Sequence, residues 1–241
     1  MNGIAFDQPL FWAVMIGWIM SVVIHEFAHG IVAYWGGDYT IRERGGLTLN
    51  PLQYIDPIGS LALPALFLMI GGVPLPGGAT YIRRDLLRSR WWETAVSLAG
   101  PMSNFLMCAL CLLPLHPAIG WIDVTGPLGD AGNFGVFLGA MALLQFLAGV
   151  FNLIPIPPLD GFNAIGPWMD QDLRMKVGTP PVSTMLFMGL FIVIIAGRGQ
   201  FSLFDRMFIG LMRTMDLLGF DVWSQLFVAR TFNAALFGDW S

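Results

Sequence analysis

Long apolar runs separated by short polar stretches dominate the chain, and their lengths sort its elements. Residues 10–35 are apolar almost without a break, long enough to cross a bilayer as a helix rising ~1.5 Å per residue. Gly36-Gly37 frees the backbone to leave that helix. The polar stretch at 38–57 alternates around Thr40–Ile41 and again at 47–49. This predicts two short strands joined near Gly45-Gly46 at the membrane surface, with edges open to an extended peptide. Residues 58–73 are apolar but short, interrupted by Pro64 and closed by Gly71-Gly72, so a re-entrant or tilted helix competes with a full span. Two further spans fall at 95–115 and 134–153, and a short one at 182–196. From residue 201 onward, mixed apolar and charged positions predict helices in or near the interface. No internal repeat or low-complexity tract interrupts this pattern.

Charge orients the map. The loops at 74–92 and 155–181 carry Arg83, Arg84, Arg88, Arg90, Arg174 and Lys176, whereas the loop at 116–131 has neither Lys nor Arg. Basic loops stay in the cytoplasm, which makes 95–115 and 134–153 an out-and-back pair. Trp91 and Trp92 sit where an aromatic belt would lie. The stretch at 38–57, with Arg42 and Arg44, then also belongs inside, provided that 58–73 does not cross. The first helix runs from outside to inside.

Composition agrees with this. The 241 residues are 56% hydrophobic and 12% charged, against about a quarter charged in soluble domains. The expectation is an all-α polytopic membrane protein forming one membrane-embedded domain over 1–241, with a core at about 10–170 and accessory helices at about 182–241. A net charge of −4 and scattered basic residues exclude a nucleic-acid surface. The N-terminus lacks a basic leader region and its apolar run is too long for a signal peptide, so the first helix is expected to be retained. Cys108 and Cys111 form a CxxC inside an apolar helix, without a second pair, and read as packing residues.

Three polar side chains break the first span. His25, Glu26 and His29 form an HExxH, and the chain holds only three histidines. An ionisable group near the middle of a bilayer costs roughly 2.5–3.5 kcal/mol on insertion scales, so it rarely persists without a function. His25 and His29 are one turn apart on one helix face, able to hold one zinc. Glu26 beside them is placed to take a proton from water at the metal. A catalytic zinc wants a third protein ligand. His116 lies at the wrong end of its helix. Asp160 follows a span running toward the same side as His25, in a stretch where Pro155, Pro157 and Pro158 prevent regular helix. It is the best-placed acid, with Asp38, Asp56 and Asp170 as weaker candidates.

His25-Glu26-Phe27-Ala28-His29, Gly100-Pro101-Met102-Ser103-Asn104 and the run from Asn152 to Gly161 (NLIPIPPLDG) resemble the motifs of site-2 proteases, the intramembrane zinc metalloproteases. GGLTLNPLQYIDPIG between the first two resembles the compact bacterial branch. The resemblance runs from about residue 10 to 170 in the family's order. It implies Asp160 as third zinc ligand, a three-helix core around the zinc, and a membrane-inserted strand region after the first helix. It also implies that Asn152 and Pro155 hold the unwound substrate, and that Asn104, a polar residue near the site, belongs with these substrate-binding residues. The loop at 116–131 is too short for the PDZ domain of better-known bacterial members, and a CBS domain after the core is not expected.

The function these readings imply is an intramembrane zinc endopeptidase with one zinc per chain, cutting peptide bonds within or near transmembrane helices. Glu26 is its proton carrier, and membrane-protein substrates and lipid are its partners. A bacterial inner membrane is its expected location. A catalytically inactive helix-binding adaptor and a metal transporter are the rivals. The adaptor would be expected to have lost a ligand or the glutamate, and the transporter to show several ligand pairs along a path.

Overall fold

The computed structural model describes residues 8–54, 81–196 and 203–237. The 58–73 segment and Asp56 lie outside them. Among the described residues the helices are α1 (Pro9–Gly36), α2 (Thr40–Glu43), α3 (Arg90–Leu112), α4 (Gly132–Asn152), α5 (Asp160–Ile165), α6 (Gln171–Gly178), α7 (Val182–Ala196), α8 (Leu203–Leu217) and α9 (Val222–Phe237). Three are long and apolar enough to cross a membrane: α1, α3 with its 3-10 extension to Leu115, and α4. Helix α7, at 15 residues, rises only ~22 Å, short of a hydrocarbon core of ~30 Å. Helix α3 starts five residues before the apolar run at 95, because its first turn is held by polar contacts described below.

Local chemistry explains where α1 stops. Gly37 adopts φ +121°. Its N–H bonds to the Tyr34 carbonyl at 3.2 Å, and the Asp38 N–H to that of Ala33 at 3.0 Å. This pair of bonds closes a helix around a glycine in a Schellman motif.

The described chain divides into two compact units, with boundaries inside α1, α3, α4 and α8. One comprises 8–21, 105–147 and 206–237. Within it α9 packs on α4, where Gly139 faces Thr231 with no room for a side chain. The helices expected at the interface after residue 201 do form, and they bury Leu211, Met215, Phe227 and Val228. His116 is structural here: Nε2 donates to the Leu218 carbonyl at 3.0 Å, while Nδ1 accepts from the Ala118 N–H at 3.1 Å.

The other unit comprises 22–54, 81–104 and 148–205 of the described residues, and contains every described residue of the candidate centre. Ala33, Ile41 and Val96 form its small apolar core, with Leu47, Ile82 and Leu87 packed around them.

No strand forms among the described residues, which corrects the expected β region at 38–57 and its peptide-accepting edges. Residues 40–43 make a helical turn, and Pro51–Gln53 a 3-10 turn capped by the Asn50 side chain. The alternation is real but serves another purpose. The fully buried Asp38 carboxylate gathers the Thr40 hydroxyl, the Arg44 guanidinium at 2.9 Å and the Arg83 N–H at 2.9 Å. Gly46, meanwhile, turns its carbonyl onto α1 at Gly30, where a β-carbon would overlap it. A segment tied to a carboxylate and pressed on a helix has no neighbouring strand to pair with.

Candidate metal centre

His25, Glu26 and His29 are only 5%, 6% and 5% exposed. Both imidazoles are oriented from behind. His29 Nδ1 is 2.6 Å from the Val96 carbonyl, which can only accept, so this nitrogen carries the proton. His25 Nδ1 donates to Asn104 Oδ1. In each neutral ring the lone pair is therefore on Nε2, and the two Nε2 atoms are 3.1 Å apart.

Asp160 completes the group. Its Oδ2 lies 3.1 Å from His25 Nε2 and 3.3 Å from His29 Nε2. Three acceptors this close repel unless a cation sits among them. A tetrahedral zinc with ligands at ~2.0–2.1 Å would have edges of ~3.3–3.4 Å between them, close to the three distances observed. The donor set fits zinc: two imidazoles and a carboxylate, each imidazole backed by an acceptor.

Asp160 is delivered by a segment fastened at both ends. Leu159, extended at φ −64° and ψ 158°, caps α5, and Asp160 is its first residue rather than part of an extended loop. On one side Gly161 lies against the carbonyls of Leu153 and Ile154, closer than any β-carbon allows. On the other, α5 and the turn after it dock on the first turn of α3. The Thr94 hydroxyl donates to the Ala164 carbonyl at 2.7 Å and accepts from Trp168 Nε1 at 2.9 Å. Trp168 packs edge-to-face with Trp91, under the Arg90 guanidinium. Glu93 pairs with Arg174 and, at 3.2 Å, with Arg84.

Several curated proteins are similar to this chain in sequence. The chain is 39% identical over 168 residues to Rip2 of Mycolicibacterium smegmatis, covering 68% of this chain and 60% of that one. It is 35% identical over 193 residues to Rip2 of Mycobacterium tuberculosis H37Rv, covering 75% and 68%. With YwhC of Bacillus subtilis it shares 33% over 161 residues, covering 66% and 70%. Each of the three is named "Putative zinc metalloprotease". The chain belongs to the site-2 protease family of zinc metalloproteases. It spans 60% of the length of the first of these relatives. No protein-family model and no solved structure matches it.

The other residues singled out in the sequence of this site-2 protease relative fall at several places in the structure. Asn104 is bonded to His25, so its oxygen serves an imidazole. Asn152 is 7% exposed at the end of α4, and its Nδ2 has no hydrogen-bond partner. Pro155 is exposed three residues beyond α4. Asp38 is committed to Arg44 and Arg83, and Asp170 caps α6 through the N–H groups of Asp172 and Leu173. Sequence reasoning missed Val96, Thr94 and Tyr54. Tyr54 donates to the Thr48 carbonyl at 2.7 Å, and burial, with the nearby Glu26 carboxylate adding to it, raises its phenol above the ordinary value. Only the aromatic residue within the polar stretch could have drawn attention to it.

Proposed function

We propose that the chain is an intramembrane endopeptidase that hydrolyses peptide bonds within or near transmembrane helices, with one zinc held by His25, His29 and Asp160. The observation that carries this reading is the meeting of Asp160 with both HExxH imidazoles at 3.1 and 3.3 Å, on a helix long and apolar enough to cross a membrane. Bound zinc supplies Lewis acidity, lowering the pKa of water and polarising the scissile carbonyl. Glu26 is next in sequence to His25 and takes the proton from the attacking water on its carboxylate, then passes it to the leaving amine. Val96 and Asn104 keep the imidazole protons on Nδ1 throughout.

A transmembrane helix hides its carbonyls in its own hydrogen bonds and must unwind before attack. The unwound backbone needs new partners in lipid. Asn152, buried with an unpartnered Nδ2, supports a role in holding it, and Pro155 keeps the carbonyls that follow α4 from being drawn into further helix. The substrate class is a single transmembrane helix, and the location a bacterial cell membrane, with the HExxH toward the cytoplasmic end of α1.

Purified variants test the division of labour. Glu26→Gln keeps size and hydrogen bonding but cannot take a proton at neutral pH. It should retain about one zinc per chain and cut nothing measurable, whereas His29→Ala and Asp160→Ala should lose zinc and activity together. Detectable proteolysis by Glu26→Gln would overturn the role of Glu26, and full zinc occupancy in Asp160→Ala would remove that residue from the site.

A further inference from the structure

Helix α3 faces the histidine pair with three positions spaced four apart: Val96, Gly100 and Asn104. Such positions share one helix face, as His25 and His29 do on α1. The three act differently. At the first, a main-chain carbonyl accepts from His29 Nδ1 at 2.6 Å. At the third, a side-chain amide oxygen accepts from His25 Nδ1. Between them, Gly100 presents no side chain. A β-carbon there would overlap Nε2 of both histidines and sit 2.6 Å from His25 Cε1.

The position of that β-carbon is informative. It would lie well within 3.0 Å of both Nε2 atoms at once, which is the space a zinc bound at ~2.0–2.1 Å from each nitrogen requires. A methyl group and the ion compete for one place. Asn104 is equally constrained. It is 2% exposed, and a buried amide is costly unless its partners are supplied. Its bond to His25 joins residues 79 apart in the chain.

We propose that α3 is the template of the metal centre, with Gly100 and Asn104 as positioning residues: Gly100 keeps the ion's place open, and Asn104 fixes the tautomer and direction of His25. The Val96 carbonyl does the same for His29. This rests on the reading that zinc occupies the triad. Neither residue is a ligand, so the template controls whether three intact ligands are able to hold an ion.

The test uses the full chain in detergent, stripped with a chelator and titrated with zinc against a chromophoric competitor, with thermal unfolding followed with and without zinc. Cobalt(II) absorption reports the ligand geometry. Gly100→Ala, with all three ligands present, should bind zinc at least ~100-fold more weakly, the upper end of the range for outer-shell damage. Its metal-free form should still unfold cooperatively but at a lower temperature than metal-free wild type, because the added methyl must push aside two buried imidazoles whether or not zinc is present. Asn104→Ala should weaken zinc by about 10–100-fold and alter the cobalt spectrum. Asn104→Asp keeps an acceptor and should restore both. Wild-type zinc affinity in Gly100→Ala or Asn104→Ala would overturn the template, as would an Asn104→Asp protein as weak as Asn104→Ala. A wild-type protein that takes up no zinc would remove the zinc reading itself and the template with it. Wild-type binding with unaffected variants would remove only the template.

Discussion

Gly161 offers the sharpest perturbation of Asp160 that leaves every polar group in place. A methyl at this position would overlap the Leu153 carbonyl and lie 2.7 Å from the Ile154 oxygen. Carbon approaches a carbonyl oxygen to about 3.3 Å, so the Ile154 contact alone asks for a shift of about 0.6 Å and the nearer Leu153 carbonyl for about twice that. Both obstacles are main chain at the end of α4 and cannot swing aside as a side chain would. The strain must fall on α5, and Asp160 is its first residue. Functional groups work within about 0.5 Å of their productive positions, and a displacement of about 1 Å costs on the order of 100-fold in rate. Gly161→Ala should therefore bind zinc at least ~10-fold more weakly and lose on the order of 100-fold in kcat/KM toward a single-span substrate. Competition titration and a gel-based cleavage assay measure these effects. Gly189→Ala, in α7 with open space around its α-carbon, serves as the control and should match wild type in both. A Gly161→Ala protein with wild-type zinc affinity and wild-type turnover would refute the claim that the end of α4 fixes Asp160.

Two further outcomes follow from the loops. With Cys108 and Cys111 replaced by alanine, single cysteines at Ser89 and Ala118, both exposed, should react with an impermeant maleimide from opposite faces of the membrane; labelling from the same face would sink the orientation drawn from the basic loops. Asp38→Asn should lower the unfolding temperature, since the buried acceptor of Arg44, Arg83 and Thr40 contributes about 1–3 kcal/mol, yet the folded fraction should carry a full zinc complement; a zinc-free folded variant would show that Asp38 belongs to the centre.

The spans at 10–35, 95–115 and 134–153 were legible because lipid leaves a long apolar run few alternatives to helix, and α1, α3 and α4 match them to within a few residues. The polar stretch at 38–57 was not. Period-two alternation over a few residues is also what one helical turn beside an extended segment produces. The deciding interaction joins Asp38 to Arg83, 45 residues away. Such a contact is set by where α3 returns to α1, and nothing in the stretch itself records it.

The centre divides along the same line. His25, Glu26 and His29 lie on one helix, so their spacing alone brings them together. Asp160 needed topology to place it and proline chemistry to explain how it leaves α4. The partners behind the imidazoles were harder to see. Every residue has a carbonyl, so nothing marks that of Val96. Gly100-Pro101 in the middle of a span did leave a trace: in a soluble helix interior these residues cost about 1 and 3 kcal/mol relative to alanine. Membrane helices tolerate them better, when a neighbouring group uses the space or the freed backbone. A span that retains both therefore points to something approaching its axis at that height. In α3 that neighbour is the histidine pair, and the glycine stands where any side chain would take the place of the ion.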